Sequence, residues 1–455
     1  MATETTLLIL GASGDLASRL LLPALGQLLA LEPDRRVRLR GAGIEEGDHA
    51  QWRETVRTAF ASVGADAAFA GVSETTYHQA DITDPSDLSR IMAEAGDRLA
   101  LYFAVPPAVA VAACEALTKV ELPEGTVLAL EKPFGIDETS ARALNEIVAR
   151  LVPEERVFRV DHFLGRSTLL NVLGARFANR LFDPVWSAEH IESVLVRYDE
   201  TLGLEDRARY YDHAGALADM IQSHLLQVLA LIAMEPPATL HERDLRDAIG
   251  TALRATHVWD DDPSTSSRRA RYTAGSVQGR QLPSYVDEHG VDASRGTETL
   301  AELVCEVRNS RWAGVPFTLR SGKALAGKIG EIVVRFRPVN HVPTGLTGDA
   351  AGALLRFSLG PDRIDLELNV NGGDDPFVLE RATLSADLGA GALRAYGEVL
   401  SGILDADATL SVRGDAAERS WHIVDPVLAA WRRGDVPLDE YPAGSDGPAG
   451  WPPLG

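Results

Sequence analysis

The chain has 455 residues, 45% hydrophobic and 24% charged, a balance that fits a globular protein of two or three domains with a well-filled core. Its formal net charge of −22 repels polyphosphate, so nucleic acid is excluded as an expected partner, and an anionic substrate must be met by a local cluster of Lys, Arg and His. The two cysteines, Cys114 and Cys305, lie in no CxxC or Cys/His cluster; no zinc or other metal site is expected, and both read as small buried hydrophobes of a reducing compartment.

Met1-Ala-Thr-Glu-Thr carries no basic n-region and leads to no apolar h-region with a cleavage site, so no leader is expected. No run approaches the roughly 18 uninterrupted apolar residues of a membrane span. A cytoplasmic location without membrane contact is the expectation. Residues 6–10 (TLLIL) form an apolar run ending at Gly11, the pattern of a buried parallel strand. Residues 16–30 have helical apolar spacing, 37–42 (VRLRGA) read as a second strand, 99–105 (LALYFAV) as another and 126–130 (TVLAL) as the next. Strands alternating with helices over roughly the first 160 residues predict a Rossmann-type doubly wound parallel sheet.

The second half changes character. Residues 214–233 read as one long helix, and 300–308, 331–337, 352–358 and 363–370 alternate like antiparallel strands with one wet face. The stretch from Asp260 to Arg269 reads as an exposed loop, and the Gly- and Pro-rich tail from Pro442 as irregular. The predicted architecture is an N-terminal α/β domain over 1–160 and an α+β domain with a large, mostly antiparallel sheet over 161–455.

Gly11-Ala12-Ser13-Gly14-Asp15-Leu16-Ala17 follows the first strand and opens the first helix. Its glycines permit a tight turn and close approach of a pyrophosphate, and the helix N-terminus offers N–H groups and a positive dipole end. GxxGxxA is a variant of the dinucleotide fingerprint, and glycine turns after strands are common without it. After the second strand the chain reads Arg40-Gly41-Ala42-Gly43-Ile44-Glu45-Glu46. A carboxylate there accepts both ribose hydroxyls and repels a 2′-phosphate, which leans toward NAD over NADP. A solvated acidic loop explains Glu45 and Glu46 equally well, and Arg40 or Arg53 could reach a 2′-phosphate.

Three further segments concentrate reactive groups. They are Glu131-Lys132-Pro133-Phe134-Gly135 at a strand end, Arg159 to Arg166 (RVDHFLGR), and Asp219 to Gln227, which sets Asp219 and His224 in an otherwise apolar helix. Five residues span about 140° around an α-helix, so Asp219 and His224 are expected on different faces, touching different parts of a ligand. By itself a lone histidine in an apolar helix reads as a satisfied core residue, and each lone Lys or Arg as a surface charge.

The chain resembles the glucose-6-phosphate dehydrogenase family. The resemblance is carried, in family order, by GASGDLA (11–17), YFAVPP (102–107), EKPFG (131–135), RVDHFLGR (159–166), RFANR (176–180), DMIQSHLLQVLALIAMEPP (219–237), RWAGVPFTLRSGKAL (311–325) and YPAGSDGP (441–448). It implies oxidation of glucose 6-phosphate at C1 with hydride transfer to NAD or NADP, in the pentose phosphate pathway. It implies His224 as the base, with Asp161 orienting its ring. Asp219 and Glu200 become sugar ligands, and Lys132 lies where sugar and nicotinamide meet. His162, Arg166, Lys323 and Lys328 form the phosphate pocket. The resemblance also implies that Gly11 to Leu16, Tyr102 and Lys132 contact the cofactor, that Pro133 follows a cis bond and that the assembly is a homodimer or homotetramer. Glu45 is added as a cofactor contact by the ribose argument above, since the Arg that the family carries after the second strand is absent.

Several positions depart from the family. Phe163 replaces a Tyr, Arg166 a Lys and Ser167 a Glu. Leu20, in Ala17-Ser18-Arg19-Leu20, replaces a Lys near the site. These changes bear on phosphate affinity and cofactor choice and leave the base and sugar ligands in place. Two other readings stay open: a same-fold dehydrogenase of another or unphosphorylated aldose, and a weakly active regulatory paralogue.

Overall fold

The computed structural model describes residues 4–96, 98–161, 163–165, 167–205, 208–389 and 391–452. Contacts divide the chain into two compact units. One takes residues 1–166, 237–247 and 391–418; the other takes 167–236, 248–390 and 419–455.

The first unit is built on a seven-stranded sheet. Strands β1 (Thr5–Leu10), β2 (Val37–Gly43), β3 (Thr76–Gln79), β4 (Leu99–Phe103), β5 (Val127–Glu131) and β6 (Val157–Val160) pair in parallel in the order β3-β2-β1-β4-β5-β6. The short strand Ser411–Val412 closes the β6 edge antiparallel. Every residue of β1 and of β4 is buried, as helices on both faces require. The order reverses beside β1, so the turn after β1 sits at the switch point where α/β sheets bind ligands. The doubly wound expectation holds. The strand β3 was not predicted: its four residues, TYHQ, carry almost no apolar run.

The second unit holds an 11-stranded sheet. Its central strands are Ile329–Phe336, Ile191–Asp199, Phe317–Gly322 and Leu300–Val307, in that order. Most neighbours are antiparallel, while Ile191–Asp199 runs parallel to Phe317–Gly322. Leu354–Leu359 alternates between buried and half-buried positions, as expected for a sheet with one wetter face. The stretch 260–269 is not one exposed loop. Asp262 caps a short helix, Pro263–Ser266, and the strand Ser267–Thr273 follows, pairing with Leu300–Leu303. The two arginines that suggested a loop are held: Arg268 bridges to Glu302, and Arg269 donates to the carbonyls of Trp431 and Val436.

The predicted helix 214–233 is a composite. Ala208–Ala216 ends in a kink at Gly215, Leu217–Leu225 is π-wound, and Leu226–Ala233 is α-helical. The segment Tyr210–Ala233 is long and apolar enough to cross a membrane, yet 94% of its most apolar stretch is buried within the protein, which makes it a core helix.

A buried helix end leaves carbonyls that need donors. Side chains supply them here. Arg176 donates to Leu231 O and Met234 O, both at 2.8 Å; Trp186 Nε1 donates to Ile232 O at 3.0 Å; and Trp312 Nε1 donates to Ala233 O at 2.7 Å. Arg176→Met removes two of these bonds. It is expected to lower stability by about 2–4 kcal/mol, because buried acceptors lose their partners. A shift of the urea midpoint with an unchanged m-value checks this; an unshifted midpoint would contradict it.

Candidate active site

The turn after β1 is constrained at every step. Gly11 has φ +86°, and a Cβ there would lie 2.4 Å from Ala104 O. The N–H groups of Gly11 and Ala12 both bond Ala42 O at the end of β2 (2.8 and 3.0 Å). Only glycine permits this approach, which brings the turn under β2 and leaves the helix N-terminus at the strand ends. Gly14 closes the turn onto Gly11 O at 3.1 Å. Asp15 is exposed and lies 4.0 Å from Arg19, Leu16 packs against the core, and Leu20 is exposed. This cradle fits the pyrophosphate of a dinucleotide.

Glu45 reaches back over the same turn, and its carboxylate accepts from Ser13 Oγ. Tyr77 OH donates to Glu45 O at 3.0 Å, and burial together with the Glu45 charge raises the Tyr77 phenol. Glu45 and Glu46 are both exposed, so the reading as a solvated acidic loop stands beside this contact with the glycine turn. Arg40 is held by Glu94 at 3.0 Å, so its guanidinium is engaged at the side of the sheet.

At the end of β5, Glu131 and Lys132 precede Pro133, and the Lys132–Pro133 bond is cis as expected. Tyr102 departs from its expected role. Its ring is wholly buried in the core, and its hydroxyl donates to Glu131, so it supports the strand end and presents no face to a dinucleotide. Tyr396 bonds the same carboxyl, and burial pushes Glu131 up to about 7 against the pull of both tyrosines and Lys132. Asp161, buried after β6, accepts from Phe163 N at 2.8 Å, and the Phe163 ring is buried. His162 and Arg166 lie outside the described residues.

In the second unit, the π winding changes the relation of Asp219 to His224. Leu226 N bonds Ile221 O, an i to i+5 closure. Residues five apart therefore fall about one turn apart on the same side, and the expectation of different faces is corrected. Both side chains are buried, and Asp219 accepts from Tyr210 OH at 3.2 Å. Lys323 and Glu200 form an ion pair of 2.7 Å, with the Lys323 ammonium 5.1 Å from the centre of the Tyr211 ring. Lys328 is exposed. Thus Glu200 and Lys323, expected to touch different ends of a sugar phosphate, are bonded to each other.

Sequence reasoning missed Glu131 as a clamped carboxyl, Tyr396, and the buried Glu298 beneath Gly215. Each is one polar residue whose partners lie far along the chain, so no local spacing reveals it. Glu131→Gln tests the clamp. The folded-state value of about 7 lies above the ordinary 4.5, so the folded protein binds this proton more tightly than the unfolded chain does. The stability it contributes is complete below about 4.5 and is lost as pH rises toward about 7, at ~1.4 kcal/mol per pKa unit. The Gln variant, neutral throughout, is expected to gain Tm relative to wild type between about pH 5 and about pH 8. The same Tm difference at both pH values would contradict the assignment.

The comparisons with known proteins agree along the whole chain. Residues 8–171 match the model of the glucose-6-phosphate dehydrogenase NAD binding domain, and residues 173–452 that of the C-terminal domain of the same family. The chain is 38% identical over 462 residues to a glucose-6-phosphate 1-dehydrogenase of Gluconobacter oxydans, covering 97% of this chain and 94% of that one. It is 35% identical to the corresponding protein of Mycolicibacterium smegmatis, covering 97% and 93%. Among solved structures, glucose-6-phosphate 1-dehydrogenase of Mycobacterium avium superposes with a TM-score of 0.84 at 32% identity, covering 98% of this chain and 96% of that one. A glucose-6-phosphate dehydrogenase in complex with its substrate superposes at 0.87 with 29% identity, covering 99% and 97%. The chain belongs to the glucose-6-phosphate dehydrogenase family.

Proposed function

We propose that this protein oxidises glucose 6-phosphate at C1 to 6-phosphogluconolactone, the reaction that opens the pentose phosphate pathway. The observation that carries the reading is the π-wound turn, which sets the buried Asp219 and His224 on one side of a core helix in a chain that also carries the glycine turn. A bound nicotinamide supplies a two-electron acceptor for the hydride. The residues do the rest. His224 takes the C1 hydroxyl proton as the C1–H bond breaks, leaving a C1 carbonyl. Asp161 holds the ring and stabilises the imidazolium. Asp219 and Glu200 accept hydrogen bonds from sugar hydroxyls, and Lys132 serves both sugar and cofactor. Lys323 and Lys328, with His162 and Arg166, hold the phosphate by charge-assisted bonds.

His224→Ala is expected to lower kcat at least about 100-fold while leaving the dinucleotide Kd within about threefold. Loss of dinucleotide binding in that variant would contradict the assignment. Phe163 in place of a phenol and the Glu200–Lys323 pair favour a second reading, in which phosphate counts for less and another aldose is the substrate. Comparing kcat/KM for glucose 6-phosphate, glucose and galactose 6-phosphate separates the two.

Glu45 beside Ser13, with Arg40 held by Glu94, supports NAD as the preferred cofactor. The ratio of kcat/KM for NAD over NADP is expected to exceed 1, and Glu45→Ala to lower it; a strong NADP preference in wild type would refute the role of Glu45. The outer strands Asp362–Asn371 and Val378–Asp387 of the large sheet expose Val370 and Leu384, and Phe377 and Leu388 are exposed at the two ends of the second, which supports burial between subunits of a homodimer or homotetramer. The two buried, unbridged cysteines fit a reducing cytoplasm.

A further inference from the structure

Burying a carboxylate is costly unless its oxygens find donors. Glu298, at the entry to the strand Leu300–Val307, is 5% exposed. Its Oε1 accepts from Leu217 N at 2.9 Å, and its own carbonyl accepts from Ala216 N at 3.3 Å. Leu217 is the first residue of the π-wound segment that carries Asp219 and His224. The chain makes room for the carboxylate by a backbone kink. Gly215 has φ 66° and ψ 176°, and a Cβ there would lie 2.3 Å from Glu298 Oε1. Only glycine fits that position on both counts.

The next residue extends the arrangement. Lys323 N donates to Thr299 O at 2.8 Å, Thr299 Oγ1 shares a 2.8 Å bond with Tyr441 OH, and Tyr441 OH also bonds Lys323 O at 2.7 Å. Two consecutive residues thus hold the start of the His224 helix and the backbone of the Lys323–Glu200 pair. An acceptor at a helix N-terminus satisfies an orphan N–H and complements the dipole. Here it also fixes where the first turn begins, and so where residues two and seven positions later project.

We propose that Glu298 is a positioning residue for the oxidation, acting by setting the register of the π-wound turn on which Asp219 and His224 stand. The inference rests on the function proposed above. Two conservative variants of the full-length enzyme test it. Glu298→Gln keeps an acceptor oxygen at the same reach, and Glu298→Asp withdraws the carboxylate by one methylene. The Gln variant is expected to retain kcat within about threefold. The Asp variant is expected to lose at least about tenfold in kcat, because misplacing a reacting group by about 1 Å costs up to about 100-fold. Its dinucleotide Kd, read by fluorescence titration, stays within about threefold of wild type. Wild-type kcat in Glu298→Asp would overturn the proposal, as would a Gln variant as slow as the Asp variant. Loss of fold in Glu298→Asp would also overturn it, making Glu298 a determinant of folding rather than of position. If His224→Ala keeps full turnover, the underlying reading fails; if His224→Ala is inactive and Glu298→Asp is not, this inference alone fails.

Discussion

A helix that enters a protein core brings unpaired N–H groups at one end and unpaired carbonyls at the other, and neither end can rely on bulk water. The helix running to Ala233 meets this constraint with side chains from distant parts of the chain. Arg176, Trp186 and Trp312 donate to the carbonyls of Leu231, Ile232, Ala233 and Met234, while Glu298 accepts at Leu217. A cation stands at the negative end of the dipole, and at the positive end an acceptor carboxyl that burial pushes up to about 7. The helix is fixed at both ends, and the two buried polar residues of its π-wound segment inherit that fixed position. Precise placement of acid and imidazole is a consequence of satisfying ordinary backbone groups.

The first unit solves a different problem by the same means. A dinucleotide's pyrophosphate must come close to backbone, so side chains are removed where the turn after β1 meets β2 and β4. Gly11 lies too near Ala104 to carry a Cβ, and Gly41 too near Ala12. What the glycines leave open, Glu45 and Ser13 border with a hydrogen bond. At the far strand end, two tyrosine hydroxyls hold Glu131 next to Lys132, which keeps a carboxyl buried beside an ammonium that the proposed chemistry needs.

Much of this is legible in the sequence. The strands β1, β4 and β5 are apolar runs bounded by Gly and Pro, and burial on both faces leaves that signature, while β2 alternates with Arg38 and Arg40. The glycine turn and the segments holding Lys132, Asp161 and His224 stand out by residue type and by family resemblance. Ile191–Asp199 and Phe317–Gly322 were not visible, although they lie at the centre of the large sheet. Arg197, Asp199 and Arg320 interrupt their apolar pattern, and ion pairs on Asp199 neutralise them: Arg197 of the same strand at 2.6 Å and Arg320 of the neighbouring strand at 3.4 Å. The angular relation of Asp219 to His224 is not legible in the sequence, because the chain winds there with i to i+5 bonds and not with α geometry. Propensity gives no sign of π winding, which recurs at Ala17–Leu21 in the first helix.

The central claim is that Asp219 and His224 act on one sugar from one turn of one helix. A double-mutant cycle on kcat/KM with Asp219→Asn, His224→Gln and the double variant tests this most directly. Groups that work as a unit are strongly non-additive, because removing one already disables the other. The double variant is expected to be no slower than the slower single variant to within about threefold. Losses that multiply would contradict the account, since they would mean that the two residues serve the reaction independently.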